Sequence, residues 1–245
     1  MRIPRIYTGQ NLQANTTVEL EPGPSAHIAK ALRMRVGDSV VLFNGEGGQY
    51  TASIVALEKK LVQVCTKEHD TQELESPLRV SLGIAISRGD RMDWIIQKAT
   101  ELGVACIVPL MTDRTEVKLK GDRAEKKQAH WRQIMISACE QCGRNRLPEL
   151  NSLIAVNDWL PTVDAQRKFV LHQHATVAKT LEQRPESVAI LVGPEGGLSD
   201  REIAYAGDQS FEVLTLGQRV LRTETAPLAA LAILQSRWGD MPLQA

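Results

Sequence analysis

Aromatic side chains are scarce: Phe, Trp and Tyr make up 4% of the 245 residues. The core must therefore be built from Leu, Ile, Val and Ala. No apolar run is long enough to span a bilayer. The opening Met1-Arg2-Ile3-Pro4-Arg5-Ile6-Tyr7 lacks the apolar centre of a signal peptide. A cytoplasmic protein with no membrane partner is expected. Excess charge is also missing, since 29 Lys and Arg offset 29 Asp and Glu. That excludes a protein that coats nucleic acid by bulk charge, but leaves room for a local basic face. Cysteine is sparse, at 65, 106, 139 and 142, and thiols are expected in a reducing compartment. Cys139-Glu140-Gln141-Cys142 has the spacing of a metal half-site, but it lies in a helical pattern and no second pair completes it. No metal is expected. The histidines at 27, 69, 130, 172 and 174 form no Ser/His/Asp signature.

What is present is ordinary globular material, 43% hydrophobic and 24% charged, enough for one large or two modest domains. Residues 1–70 read as β-rich. Val36 to Phe43 is apolar-rich, Asn44-Gly45 is a hairpin dipeptide, Gln49 to Leu57 alternates, and Lys60 to Thr66 is a further short strand. A helix is expected over Ser25 to Met34, with Ser25 as N-cap. Several short strands suggest a small barrel. Lys67 to Pro77 is polar and ends in proline. The division drawn is a domain over 1–70, a linker over 71–77, and a second domain over 78–245.

After Pro77 strands and helices alternate. Strands are expected at Leu78–Ile86, Val104–Leu110, Phe169–His172, Val188–Val192 and Val213–Leu216. Helices are expected at Asp90–Leu102, Asp122–Cys142, Val177–Gln183 and Thr225–Trp238, with Gly143 ending the second of these. Ser199 and Glu202 fit a capping box for one more helix. This rhythm means an α/β domain whose mostly parallel sheet has helices on both faces. Leu228 to Leu234 is apolar all round, which suggests a helix shared with a second subunit.

Two glycine-bearing loops follow consecutive strands. They are Gly193-Pro194-Glu195-Gly196-Gly197 and the run from Leu216 to Thr225. Strand-end loops leading into helices are where α/β proteins place ligands. Neither loop matches the P-loop or the G-x-G-x-x-G fingerprint.

Leu191 to Gly197, followed by Leu216-Gly217 and Arg219 to Ala226, resembles the SPOUT-class RNA methyltransferases, most closely their ribosomal small-subunit branch. Met1 to Arg5, His27-Ile28 with Leu32-Arg33, Ser87-Arg88-Gly89 and Glu140 to Asn145 carry the same resemblance along nearly the whole chain. It implies a PUA-like β-barrel joined to a C-terminal domain with a trefoil knot. It implies a homodimer formed through that domain, S-adenosyl-L-methionine as methyl donor, and N3 of a uridine in 16S rRNA of the 30S subunit as acceptor. Two alternatives stand beside this: a ribosome-assembly protein without activity, and an enzyme acting on tRNA ribose 2′-O.

The resemblance also implies a donor pocket of three loops: Leu171 and His172; Gly193, Glu195, Gly196 and Gly197; and Leu216, Gly217, Val220 and Leu221. Glycines let backbone groups approach an adenine edge. Uracil N3 must lose a proton, so its carbonyl oxygens gain charge. A fixed cation there is worth roughly 3–4 kcal/mol. Arg222 is the candidate cation, and Glu224 the group that orients it or takes the proton. RNA contact is expected from Arg2, Arg5, Arg88, Arg114, Arg144, Asn145 and Arg146, because arginine forks suit phosphate. Lys118, Lys120, Arg123, Lys126 and Lys127 alternate with acids and read as a solvated face.

Overall fold

A computed structural model describes residues 3–58, 61–117, 119–173 and 184–242. The expectations for Arg2, Lys118, His174 and Val177–Gln183 lie outside them. The chain forms two compact units. One comprises Met1–Glu75 with Ile136–Leu147, the other Ser76–Met135 with Pro148–Ala245.

The first unit contains β1 (Arg5–Tyr7), β2 (Thr17–Glu19), α1 (Pro22–Ala26), β3 (Ser39–Phe43), β4 (Gln49–Leu57) and β5 (Val62–Asp70). Its sheet has the order β1-β3-β4-β5-β2. β1 and β3 are parallel; the other pairs are antiparallel. Alternate residues such as Val40 and Leu42, and Val62 and Val64, are buried around Ile6, Leu20 and Ile28. Irregular register in β4 at Tyr50/Ala52 and Ile54/Ala56 adds twist.

The expected N-cap at Ser25 is corrected. α1 begins at Pro22, whose missing N–H costs nothing in a first turn. Ser25 lies inside the helix and is buried. Its hydroxyl donates to the Leu20 carbonyl at 2.9 Å and accepts from the Val62 N–H at 3.2 Å, tying α1 to β5. A π-helical turn at His27–Ala31 follows.

Residues 136–147 join this unit through polar contacts. Glu140 accepts the Tyr7 N–H at 3.0 Å. Arg144 donates to both oxygens of Glu75, at 2.9 and 2.5 Å. Asn145 donates to the Gln72 carbonyl at 2.7 Å and accepts from Arg5 at 2.8 Å. A division drawn at one linker therefore misses a segment far along the chain.

The second unit contains β6 (Arg79–Ala85), α2 (Arg91–Glu101), β7 (Cys106–Met111), α3 (Asp122–Cys142, its last turns counted with the first unit), β8 (Glu149–Leu150), β9 (Ile154–Ala155), α4 (Val156–Trp159), β10 (Arg167–Leu171), β11 (Ser187–Val192), α5 (Asp200–Asp208), β12 (Glu212–Leu214) and α6 (Thr225–Trp238). The sheet runs β12-β10-β11-β6-β7-β8, with β9 also on β7. Every pairing is parallel. The strand pleat sends Val188, Ile190 and Val192 into one core with α2, α3 and α6. It sends Ala189 and Leu191 into the other, with α4 and α5. Helices thus cover both faces. Gly83 has no substitute on the second face, because a Cβ there would lie 2.3 Å from the Trp159 ring.

α6 is less evenly apolar than its sequence suggests. It buries Ala230, Leu231, Leu234 and Trp238 but leaves Ile233 53% exposed. Its buried Gln235 donates to the carbonyls of Leu102 and Gly103 and accepts the Ser76 hydroxyl at 2.6 Å. Among the described residues no helix is long and apolar enough to cross a membrane.

Candidate active site

β12, β10 and β11 are parallel neighbours, so their C-terminal ends open on one edge of the sheet. The loops leaving those ends enclose a cavity of about 410 Å³. Leu171, His172, Gly193, Glu195, Gly196, Gly197, Leu216, Gly217, Val220 and Leu221 all line it. Gly197 and Gly217 take positive φ, +69° and +93°, which a side chain would oppose. A Cβ on Gly193 would stand 2.8 Å from the Leu198 amide, so only glycine lets this loop fold back on itself.

The first loop is held from beneath. The Gly197 N–H donates to the Pro194 carbonyl at 2.8 Å, closing a turn. Ser199 and Glu202 form the expected capping box at the start of α5. Glu202 is buried, and its other oxygen accepts the Asp113 N–H at 2.8 Å. Arg114 donates to the carbonyls of Gly196 and Leu198 at 2.8 and 3.2 Å. Arg114, expected at the RNA, is exposed, and its guanidinium braces the cavity wall.

Beside this cavity is a second, open one of about 720 Å³, lined by Arg88, Gly89, Asp90, Arg91, Trp94 and Glu224. Arg91 stands between the two loops. It donates to Glu195 at 2.5 Å and lies 3.6 Å from Glu224. Burial alone would raise the Glu195 pKa, but bonds from its own backbone N–H, the Arg88 N–H and the Arg91 guanidinium outweigh burial and leave it lowered. Sequence reasoning missed Arg91. A signal existed, because a cation at the first position of a helix opposes the helix dipole and asks for a local anion.

Glu224 therefore faces Arg91, and the expected pairing with Arg222 is corrected. Arg222 is exposed, and among the described residues its guanidinium has no ion-pair partner. Its carbonyl accepts the N–H groups of Thr225 and Ala226, starting α6. Arg222 does not itself line the cavity, but Leu221 and Thr223 on either side do.

The remaining expected RNA residues divide by burial. Arg144 and Asn145 are 4% and 2% exposed and are spent on Glu75 and Gln72, so contact through their side chains is corrected to a fold role. Arg5 is half-buried, donating to Gln49, Asn145 and the Arg144 carbonyl with its guanidinium over the Phe43 ring. It too holds the fold. Arg88 and Arg146 remain exposed, paired with Glu116 and Glu73. The thiols are unpaired. Burial pushes Cys139 up to about 12 and Cys106 to about 11, which keeps both inert. Among the described residues no group of three or more His, Cys, Asp or Glu is placed to hold a metal.

Comparison with known proteins agrees with this architecture. Residues 74–235 match the family described as RNA methyltransferase domain, and residues 25–64 match the RNA methyltransferase PUA domain. Ribosomal RNA small subunit methyltransferase E of Buchnera aphidicola (subsp. Schizaphis graminum) is 36% identical, covering 98% of each chain. The structure of that enzyme from Neisseria gonorrhoeae, bound to S-adenosyl methionine, superposes with a TM-score of 0.91 at 39% identity, over 98% of this chain and 99% of that one. A Legionella pneumophila structure in complex with bound SAM gives 0.95 at 41% identity, over 98% and 100%. An α/β domain of parallel strands carrying this loop-lined cavity, with a PUA-like β domain before it, thus places the chain in the RNA methyltransferase family, among the ribosomal RNA small subunit methyltransferases E.

Proposed function

We propose that the chain methylates 16S rRNA of the small subunit, using S-adenosyl-L-methionine, at N3 of a uridine. The observation that carries this is the convergence of three strand-end loops on one cavity. Its volume, about 410 Å³, falls in the roughly 300–1,000 Å³ range of small-molecule sites. Its chemistry suits this donor. The lining offers glycine backbone and apolar walls at Leu171, Leu216 and Leu221 for an adenosine, and of its two arginines, Arg114 and Arg219, the first is spent on the Gly196 and Leu198 carbonyls. When bound, adenosylmethionine supplies an electron-poor methyl group on a cationic sulfur.

The chain's own residues do the rest. The glycine loops hold the adenosine end, and the leucines exclude water from it. Glu195, ionised and fixed by Arg91, adds negative potential at the cavity wall. The acceptor base enters from the open cavity at Arg88, Arg91, Trp94 and Glu224. Arg222 stabilises the charge on the uracil oxygens as N3 gives its proton to Glu224, which lines the cavity by which the base enters. The reading includes the knot formed around the two C-terminal loops, pairing of two copies through α6 with Ile233 at the contact, a cytoplasmic location, and RNA contact by Arg88 and Arg146. The test is methyl transfer from labelled donor to 30S particles and to naked 16S rRNA, with the modified base identified by mass mapping. 3-Methyluridine is expected, and label in ribose or no transfer to either substrate overturns the reading.

A further inference from the structure

A third cavity, of about 470 Å³, lies where the β6–α2 loop meets the first turns of α3. Ser87, Gly89, Arg123, Lys126 and Lys127 are among its lining residues. Ser87 is 4% exposed, and its hydroxyl has no hydrogen-bond partner. Orphaned buried hydroxyls are rare in folded proteins, since each forfeits its bonds to water. Ser87 borders the cavity with its hydroxyl covered, so the side chain must turn about χ1 before that hydroxyl meets a ligand there. Around it stand three cations. Lys127 is held by Asp93 at 3.0 Å. Arg123 and Lys126 are exposed and, among the described residues, have no ion-pair partner. Of the three, Arg123 lies in the first turn of α3 beside Asp122 and Glu125, and Lys126 and Lys127 lie in the next. Their placement beside a polar orphan is what an anion would resolve.

We propose that this cavity is a phosphate subsite for the RNA strand, with Ser87 donating to a phosphate oxygen and Arg123, Lys126 and Lys127 supplying charge. Its position gives it a purpose. Gly89 lines both this cavity and the open one at Trp94 and Glu224. A phosphate seated here is one loop away from the proposed base entrance, so the subsite fixes the backbone next to the nucleotide that reacts. The inference rests on the proposed rRNA methyltransferase function and extends it.

The test uses the full chain, with 16S rRNA as the probe, titrated at several KCl concentrations. Ser87→Ala is expected to weaken RNA binding about tenfold, the worth of one hydrogen bond to a charged group. Its Tm should stay level or rise, because an orphan has been removed. The double variant Arg123→Gln with Lys126→Gln is expected to flatten the salt dependence of log K by roughly 0.7–0.9, as loss of one phosphate contact requires. KM for RNA should rise in step, with adenosylmethionine affinity unchanged. Wild-type RNA affinity and salt slope in all variants overturn the subsite, and so does a lowered Tm in Ser87→Ala. Inorganic phosphate that competes only above its bulk ionic-strength effect at this site supports it. Failure of the wild type to methylate RNA overturns the proposed activity instead, a result the binding titration does not produce.

Discussion

Asp93 shows how one carboxylate organises a helix junction. It accepts from Lys127 at 3.0 Å and from the Trp131 indole N–H at 3.1 Å, and lies 2.6 Å from His130. Burial would raise its pKa, but the bonds and charges of His130 and Lys127 prevail and lower it from 3.8. A depressed carboxylate contributes stability above its unfolded pKa and loses it as pH falls through the folded value. Asp93→Ala should therefore destabilise by about 1–3 kcal/mol at neutral pH, through loss of the bonds from Lys127 and His130 to the ionised carboxylate and through a stranded Trp131 N–H. The difference from wild type should shrink below pH 3.8; urea titrations at pH 7 and pH 3 measure it. Arg222 tests the chemistry at the same scale. Arg222→Ala should leave adenosylmethionine binding near wild type and slow single-turnover methylation by about 10²–10³-fold. Equal rates would show that the guanidinium does not serve the transition state.

At the scale of elements, legibility followed local chemistry. α3 and α6 have the bounds their sequences predict, Asp122–Cys142 and Thr225–Trp238. Gly143 takes φ +96° and stops α3 as expected. The capping box at Ser199 was visible because it is written in four consecutive residues. β1, β2, β8 and β9 were not visible. Each is two or three residues long, too short for period-2 alternation to register, and exists only because a longer strand is beside it. Ser25 misled for a related reason: its partners, Leu20 and Val62, include one that is distant in sequence. Arg144 was misread in the same way, since its burial against Glu75 is decided by a tertiary neighbour. The residues that the family resemblance places at the donor pocket line one cavity, and the strand ends and glycines among them are marked locally. Ser199→Ala is expected to cost about 1 kcal/mol and to loosen the first loop. A lower Tm and faster hydrogen exchange at Gly196 and Gly197, with weaker donor binding, would register it.

At the scale of the molecule, two units are drawn from four stretches of chain. Composition and rhythm suggest a linker at residues 71–77; the compact units part between Glu75 and Ser76, between Met135 and Ile136, and between Leu147 and Pro148. Nothing in the local sequence announced that Ile136–Leu147 belongs with the earlier stretch. Residues 1–75 alone would lack Glu140, Arg144 and Asn145 and would leave Glu75 and the Gln72 carbonyl without those partners. That fragment should be unfolded or aggregated, with broad amide NMR signals and no cooperative melt, whereas adding Ile136–Leu147 as a tethered segment should restore dispersion.

The returning segment also sets a timetable. A ribosome making this protein releases β1 to β5 long before it reaches Leu147. The first unit cannot close when its own strands emerge. It must wait, partly assembled, until the middle of the chain has been synthesised, so its completion is coupled to growth of the unit that carries the active site.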